Sequence, residues 1–168
     1  MALAVSPLVR ICAADVAALP DLRIVAATST GYDHIDVAAV VAAGACVTHT
    51  PGYSDIEVAD HVIAMTGALL RRLHVADAMM RHGRYSSRAA GARRITGSTL
   101  GVVGLGRIGT LVAQRGLSLG MRVLAISCVT NMAAGILPQK LDHKEVLEAG
   151  YQVRDTLIRL LKALLPKL

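Results

Sequence analysis

Read as alternating apolar and polar positions, the chain opens as short apolar runs separated by turn residues. Ala2–Ser6 is the first and stops before Pro7, and Val9–Leu19 predicts a small helix. Leu22–Thr28 (LRIVAAT) is β-branched and nearly continuous in its apolar character, the pattern of a buried parallel strand. Ser29, Thr30, Gly31 and Tyr32 then form a turn, and a short Ala/Val helix ends at Gly44, a residue suited to a left-handed cap. Ala45–Thr50 predicts the next strand, closed by Pro51–Gly52. This is βαβ rhythm.

Ser54 and Glu57 have the spacing of a capping box. Beyond them Val58, Val62, Met65, Leu69, Leu73, Ala76 and Met80 recur at helical spacing as far as Gly83. The pattern predicts one helix over 55–82, about 40 Å long at 1.5 Å per residue. A helix of that length crosses between domains or packs on a partner subunit. Residues 83–97 have no period and read as a loop or linker. Leu100–Val103 predicts a strand, Arg107–Leu119 a helix stopped by Gly120, and Arg122–Ile126 another strand. Residues 129–142 show no usable pattern. Residues 143–165 predict an amphipathic helix with Val146, Val153, Leu157, Leu160, Leu161 and Leu164 on one stripe.

Composition narrows the class. Apolar residues make up 54% of the 168 and charged residues 18%, which excludes a disordered chain. With no Phe and no Trp, the core has to be built from Ala, Val, Leu, Ile and Met. The formal charge is +6, with arginines crowded between Arg71 and Arg94. No aromatic residues alternate with them in a stacking pattern, and no zinc or helix-turn-helix spacing accompanies them. They read as a solvated basic face, and no nucleic-acid partner is expected. The three cysteines, Cys12, Cys46 and Cys128, have no CxxC spacing, so neither a disulfide framework nor a zinc site is suggested. The apolar run Val62–Leu70 is far short of the roughly 20 residues that span a bilayer. No charged and apolar leader is visible at the N-terminus. The expected location is the cytoplasm.

One motif carries chemistry. Gly104–Leu105–Gly106–Arg107–Ile108–Gly109 is GxGxxG, set between a predicted strand and a predicted helix. In that setting the first glycine permits a tight turn, the second lets backbone approach a pyrophosphate, and the third lets helix and strand pack closely. The helix beginning at Arg107 directs its free amides and positive dipole end at the phosphates. The Asp or Glu that binds ribose hydroxyls roughly 20 residues further on is absent. Its place falls at Ser127, followed by Cys128 and Val129. No arginine stands there for a 2′-phosphate either, so the cofactor is NAD or NADP without a choice between them.

Three stretches in order, STGYDHID (Ser29–Asp36), VTHTPGYSDIEVADH (Val47–His61) and the glycine-loop segment Thr99–Ile126, resemble the D-isomer-specific 2-hydroxyacid dehydrogenases. Within them, the glycerate dehydrogenase and glyoxylate/hydroxypyruvate reductase branch is the most similar. The resemblance covers residues 2 to 127. It implies an α/β chain with an incomplete flavodoxin-like substrate domain (1–53) and an incomplete Rossmann domain (54–128) that includes the long interdomain helix. A divergent tail (129–168) follows.

The resemblance further implies an NAD(P)-dependent oxidoreductase acting on the CH–OH group of a small D-2-hydroxy acid, with 2-oxo acids such as glyoxylate or hydroxypyruvate in reverse. Ser29, Thr30 and Gly31 would receive the substrate carboxylate, with Thr30 also near the nicotinamide. Gly104, Gly106, Arg107, Ile108 and Gly109 would bind the pyrophosphate, and the 55–82 helix would build a homodimer. The family's catalytic Arg, acidic partner and His find no counterpart. None of His34, His49, His61, His74, His82 and His143 lies in a matching context, so no catalytic residue is assigned. A truncated or divergent member is expected. A non-catalytic NAD(P)-binding or dimerising module is the first alternative. The second is binding to a partner or a membrane surface through the basic C-terminal helix.

Overall fold

In the computed structural model, residues 1–86, 91–129 and 143–167 are described. The chain forms two compact units, Met1–Ile56 and Glu57–Leu168.

The first unit is built on a parallel sheet of β1 (Ala2–Val5), β2 (Ile24–Ala27) and β3 (Cys46–Thr48), with β2 in the middle. Val5 lies opposite Ala27 and Ala26 opposite Thr48. Helices α1 (Ala13–Ala17) and α2 (Val37–Ala42) make the two crossovers. The core contains Val5, Ile11, Val16, Leu22, Val25, Ala27, Ile35, Val40 and Ala45, all aliphatic. Burial along β2 alternates, with Val25 and Ala27 fully covered and Ile24 and Ala26 half-covered, so the strand is less evenly buried than its sequence implies.

The helix predicted for Val9–Leu19 shortens to Ala13–Ala17. The cause is a long-range bridge. Ile11 donates its amide to the His34 carbonyl at 2.9 Å and accepts from the Asp36 amide at 2.8 Å, which holds Ile11 extended. Asp36, part of the STGYDHID segment, caps α2 by accepting from the Ala39 amide at 3.0 Å. At Gly44, φ is +77°, and the amides of Gly44 and Ala45 return to the carbonyls of Val41 and Val40. This is the expected left-handed stop of α2.

The second unit pairs β4 (Thr99–Val103) with β5 (Arg122–Ile126) in parallel, joined by α5 (Arg107–Ser118). Ala59, Val102 and Val112 form its buried centre, with Val62, Ile63, Leu100, Ile108, Leu111, Ala113 and Val123 packed around them. Ala59 is on α3 (Asp55–Leu70) and is fully buried, which fixes the face this helix turns to β4 and α5. Asp60 adds an ion pair, its Oδ1 accepting from Arg115 Nε at 2.6 Å.

The single helix expected over 55–82 is two helices. α3 ends at Leu70 and α4 runs from Leu73 to Arg81, with Arg72 between them in the left-handed region at φ +50°. No Pro or Gly in the sequence marks this break. Arg93, in the 83–97 loop, supplies the physical reason. Its amide donates to the Leu70 carbonyl at 2.7 Å, and its own carbonyl accepts from Arg71 Nη1 at 3.1 Å. A carbonyl that a continuous helix would use internally is therefore taken by a distant strand of loop. The segment for which the resemblance implied one helix of about 40 Å is thus a helix pair.

α6 (His143–Leu164) is the amphipathic helix expected in the tail, followed by a 3₁₀ turn at Leu165–Lys167. The patternless stretch 129–142 lies, from residue 130 onward, outside the described residues. So do residues 87–90 of the 83–97 loop.

Candidate functional site

Two sets of residues singled out in the sequence come together locally, each within its own unit.

Gly104–Gly109 closes the C-terminal end of β4 and opens α5. The Gly104 amide donates to the Ile126 carbonyl at 2.7 Å, extending the β4–β5 ladder to the first residue of the loop. There the backbone turns sharply, with φ +94° at Gly104, a conformation L side chains rarely adopt. Gly106 is the N-cap of α5 in extended backbone, and its carbonyl accepts from the Thr110 amide at 2.9 Å. It carries no side chain to cap the first turn. A Cβ built on Gly106 would meet nothing within 4 Å. At Gly109 the reverse holds. A Cβ there would collide with the Gly104 carbonyl oxygen and press on Val102 Cγ1 at 3.4 Å. The three glycines thus do different work: a turn, an open face, and a close approach.

The loop residues Gly104 to Arg107 are exposed, while Ile108 and Gly109 are half-buried. The exposed N-terminus of a twelve-residue helix with an open N-cap suits an anion, because first-turn amides lack partners inside the helix and the dipole adds positive potential. A pyrophosphate fits this cradle. Beside it, a cavity of about 400 Å³ is bounded by Val103, Gly104, Ile126, Ser127 and Cys128 at the strand ends and by Val153, Thr156, Leu157 and Leu160 of α6.

Ser29–Gly31 sits at the C-terminal end of β2. Ser29 is buried, and its hydroxyl donates to the Gly31 carbonyl at 2.7 Å, so its side chain shapes the turn. Thr30 and Gly31 are exposed, and among the described residues their amides donate to no group. Sequence reading missed the supports of this loop. Thr50 donates its amide to the Ser29 carbonyl at 3.1 Å and accepts from Thr30 Oγ1 at 3.2 Å. His49 Nδ1 lies 2.9 Å from the Thr30 carbonyl, which makes Nδ1 the protonated nitrogen, and its ring stands edge-on to Tyr32 with centroids 5.1 Å apart. Strand register held the signal. β3 runs beside β2 with Thr48 opposite Ala26, so residues 49–50 arrive beside the turn that follows β2.

Comparison with known proteins gives a consistent result. Residues 2–156 match the model of the D-isomer specific 2-hydroxyacid dehydrogenase catalytic domain. The match continues past Ser127, where the recognisable motifs end, and into α6. The chain is 41% identical over 109 residues to a D-3-phosphoglycerate dehydrogenase of Mycobacterium tuberculosis, an alignment covering 65% of this chain and 21% of that protein. It is 36% identical over 147 residues to a glyoxylate reductase of Thermococcus litoralis, covering 83% of this chain and 42% of the other. Among solved structures, a D-lactate dehydrogenase from Aquifex aeolicus complexed with NAD and lactic acid superposes with a TM-score of 0.68 at 30% identity. That superposition covers 88% of this chain and 41% of the other. The chain thus spans less than half the length of these relatives.

Proposed function

Because this chain belongs to the D-isomer-specific 2-hydroxyacid dehydrogenase family, we propose that it serves NAD(P)-dependent oxidation of the CH–OH group of a small D-2-hydroxy acid, or reduction of the corresponding 2-oxo acid. Glyoxylate and hydroxypyruvate are the substrates proposed first, since a glyoxylate reductase aligns over most of the chain. The observation that carries the reading is the glycine loop: a left-handed Gly104, an open Gly106 and a close-packed Gly109 in front of α5.

In this reading the amides of Gly106, Arg107, Ile108 and Gly109 hold the pyrophosphate, while Gly104 supplies the turn that aims them. A solved relative with NAD and lactic acid bound supports the choice of ligands. When bound, the nicotinamide supplies the hydride. Ser29 shapes the acid-binding turn, and the amides of Thr30 and Gly31, which have no acceptor among the described residues, receive the carboxylate. Oriented amides stabilise an anion without reorganising, which is how such a turn fixes a substrate before reaction. Reduction also requires a proton donor and a cation on the carboxylate, and no residue of this chain is assigned to either role. A homodimer built through residues 55–82, now α3 and α4, completes the proposal.

The test is a fluorescence titration of the purified chain with NADH and NADPH, repeated on Gly106→Asp. Gly106 has negative φ and open space around it, so the variant keeps its fold and places a carboxylate against the phosphates. Saturable binding lost in Gly106→Asp is expected, and would justify turnover assays with glyoxylate and hydroxypyruvate. No binding up to millimolar cofactor, or equal binding by the variant, would overturn the assignment.

A further inference from the structure

The turn after β2 is held by its carbonyl oxygens. In a trans peptide the carbonyl oxygen and the amide hydrogen of one plane point in opposite directions, and both peptides of this turn are trans. The Ser29 carbonyl, which shares its plane with the Thr30 amide, accepts from the Thr50 amide at 3.1 Å. The Thr30 carbonyl, which shares its plane with the Gly31 amide, pairs with His49 Nδ1 at 2.9 Å. Residues 49 and 50 thus anchor two successive peptides by their oxygens and turn both amides away from themselves. Successive amides presented by a turn make a concavity for an anionic oxygen.

The two anchors differ in kind. Thr50 uses its backbone, which any residue except proline would supply. His49 uses its side chain, so this anchor depends on residue type. The imidazole is fixed twice, by the Thr30 carbonyl and by its edge-on contact with Tyr32 at 5.1 Å between centroids. His49 is exposed and no part of the buried core of its unit, so packing does not account for the bond. Charge does not replace it. Asp33, exposed on the same turn, has Oδ1 only 3.2 Å from where a Cβ on Gly31 would stand. A carboxylate so close opposes an incoming anion, which leaves the aim of the amides to favour binding.

We propose that His49 is a positioning residue of the acid-binding turn: its Nδ1–H holds the Thr30–Gly31 peptide so that the Gly31 amide is aimed at the carboxylate of a 2-oxo acid. The proposal rests on the acid-binding reading above. It adds that one amide of the pair is set by backbone and the other by the His49 side chain.

The experiment is a glyoxylate titration of the full isotope-labelled chain by nuclear magnetic resonance, with NAD present, which carries no hydride for glyoxylate. Wild type is compared with His49→Asn and His49→Phe. Asparagine carries a donor nitrogen on Cγ, as histidine does, so it can restore the bond. Phenylalanine keeps a ring against Tyr32 and removes the donor. In His49→Phe the Thr30 carbonyl carbon should shift as its hydrogen bond is lost, and glyoxylate should bind about fivefold more weakly, the equivalent of one hydrogen bond. The Gly31 amide should lose more of its response to glyoxylate than the Thr30 amide, which Thr50 still holds. His49→Asn should stay near wild type in all three readouts. Equal glyoxylate affinity in wild type and His49→Phe, or equal losses in the Asn and Phe variants, would overturn the positioning role while the acid-binding reading stood. Thr30 and Gly31 amides that ignore glyoxylate in the wild type would overturn that reading and this proposal with it.

Discussion

Two glycines three residues apart in one motif face opposite consequences when a single methyl group is added. At Gly109 the new Cβ would meet the Gly104 carbonyl oxygen, which is backbone and cannot swing aside. Gly109→Ala therefore forces the loop open, at an overpacking cost of about 1–3 kcal/mol. At Gly106 the methyl enters open space at a φ of −82°, so Gly106→Ala is expected to melt within about 2 °C of wild type. Differential scanning calorimetry of the two variants separates them. Equal melting temperatures would mean the close approach does not exist.

A second residue-scale prediction concerns acid. The Asp15 carboxyl is held below its ordinary value of 3.8 by the Cys12 thiol and by the Cys12 amide, which donates to Oδ2 at 2.9 Å. A carboxyl whose folded value is depressed contributes stability above its unfolded value and loses it as pH falls through the folded one. Asp15→Asn should melt below wild type at neutral pH, and the gap should close as the pH is taken below 3.8. A gap that persisted there would show that the cap does not depend on the charge.

At the scale of elements, the break between α3 and α4 gives the sharpest contrast with sequence periodicity. Arg72 occupies the left-handed region, which costs a non-glycine residue about 1–2 kcal/mol. Glycine carries no such penalty, so Arg72→Gly should match or exceed the wild-type melting temperature. In an unbroken helix the same change would cost about 1 kcal/mol relative to a good helix former. Thermal melts of Arg72→Gly and Arg72→Ala decide between the two geometries.

This junction also shows what the sequence could and could not disclose. β5 is found at Arg122–Ile126 as read, and Gly44, Gly83 and Gly120 all adopt positive φ just past a helix end. Those features depend on local backbone preference, which sequence records directly. The break at Arg72 depends on the Arg93 amide, and the shortened α1 depends on His34 and Asp36 bonding to Ile11. Each is set by a partner more than twenty residues away, beyond the reach of a helical period. The candidate site divides in the same way. The glycine loop was visible as a pattern. The supports of the Ser29 turn, His49 and Thr50, became visible only through the β2–β3 register.

At the scale of the whole molecule, the proposed dimer makes a demand on the surface of α3 and α4. Ala59 faces the core, yet Met65, Leu69, Leu73 and Met80 are between 52% and 63% exposed. These are among the residues whose spacing predicted a single helix, and in the helix pair each keeps its apolar side chain outside the core. A second copy of the chain would cover these side chains with a self-complementary contact, as two-fold interfaces require. Such an equilibrium links folding to concentration, because association stabilises only the folded chain. Sedimentation equilibrium should then give twice the 17.6 kDa chain mass, and the melting temperature should rise with protein concentration. Leu69→Glu should return the mass to that of one chain without lowering the melting temperature at high dilution, because Leu69 makes no part of the buried core. A single-chain mass for wild type, with a melting temperature independent of concentration, would leave these side chains uncovered and the dimer proposal without support.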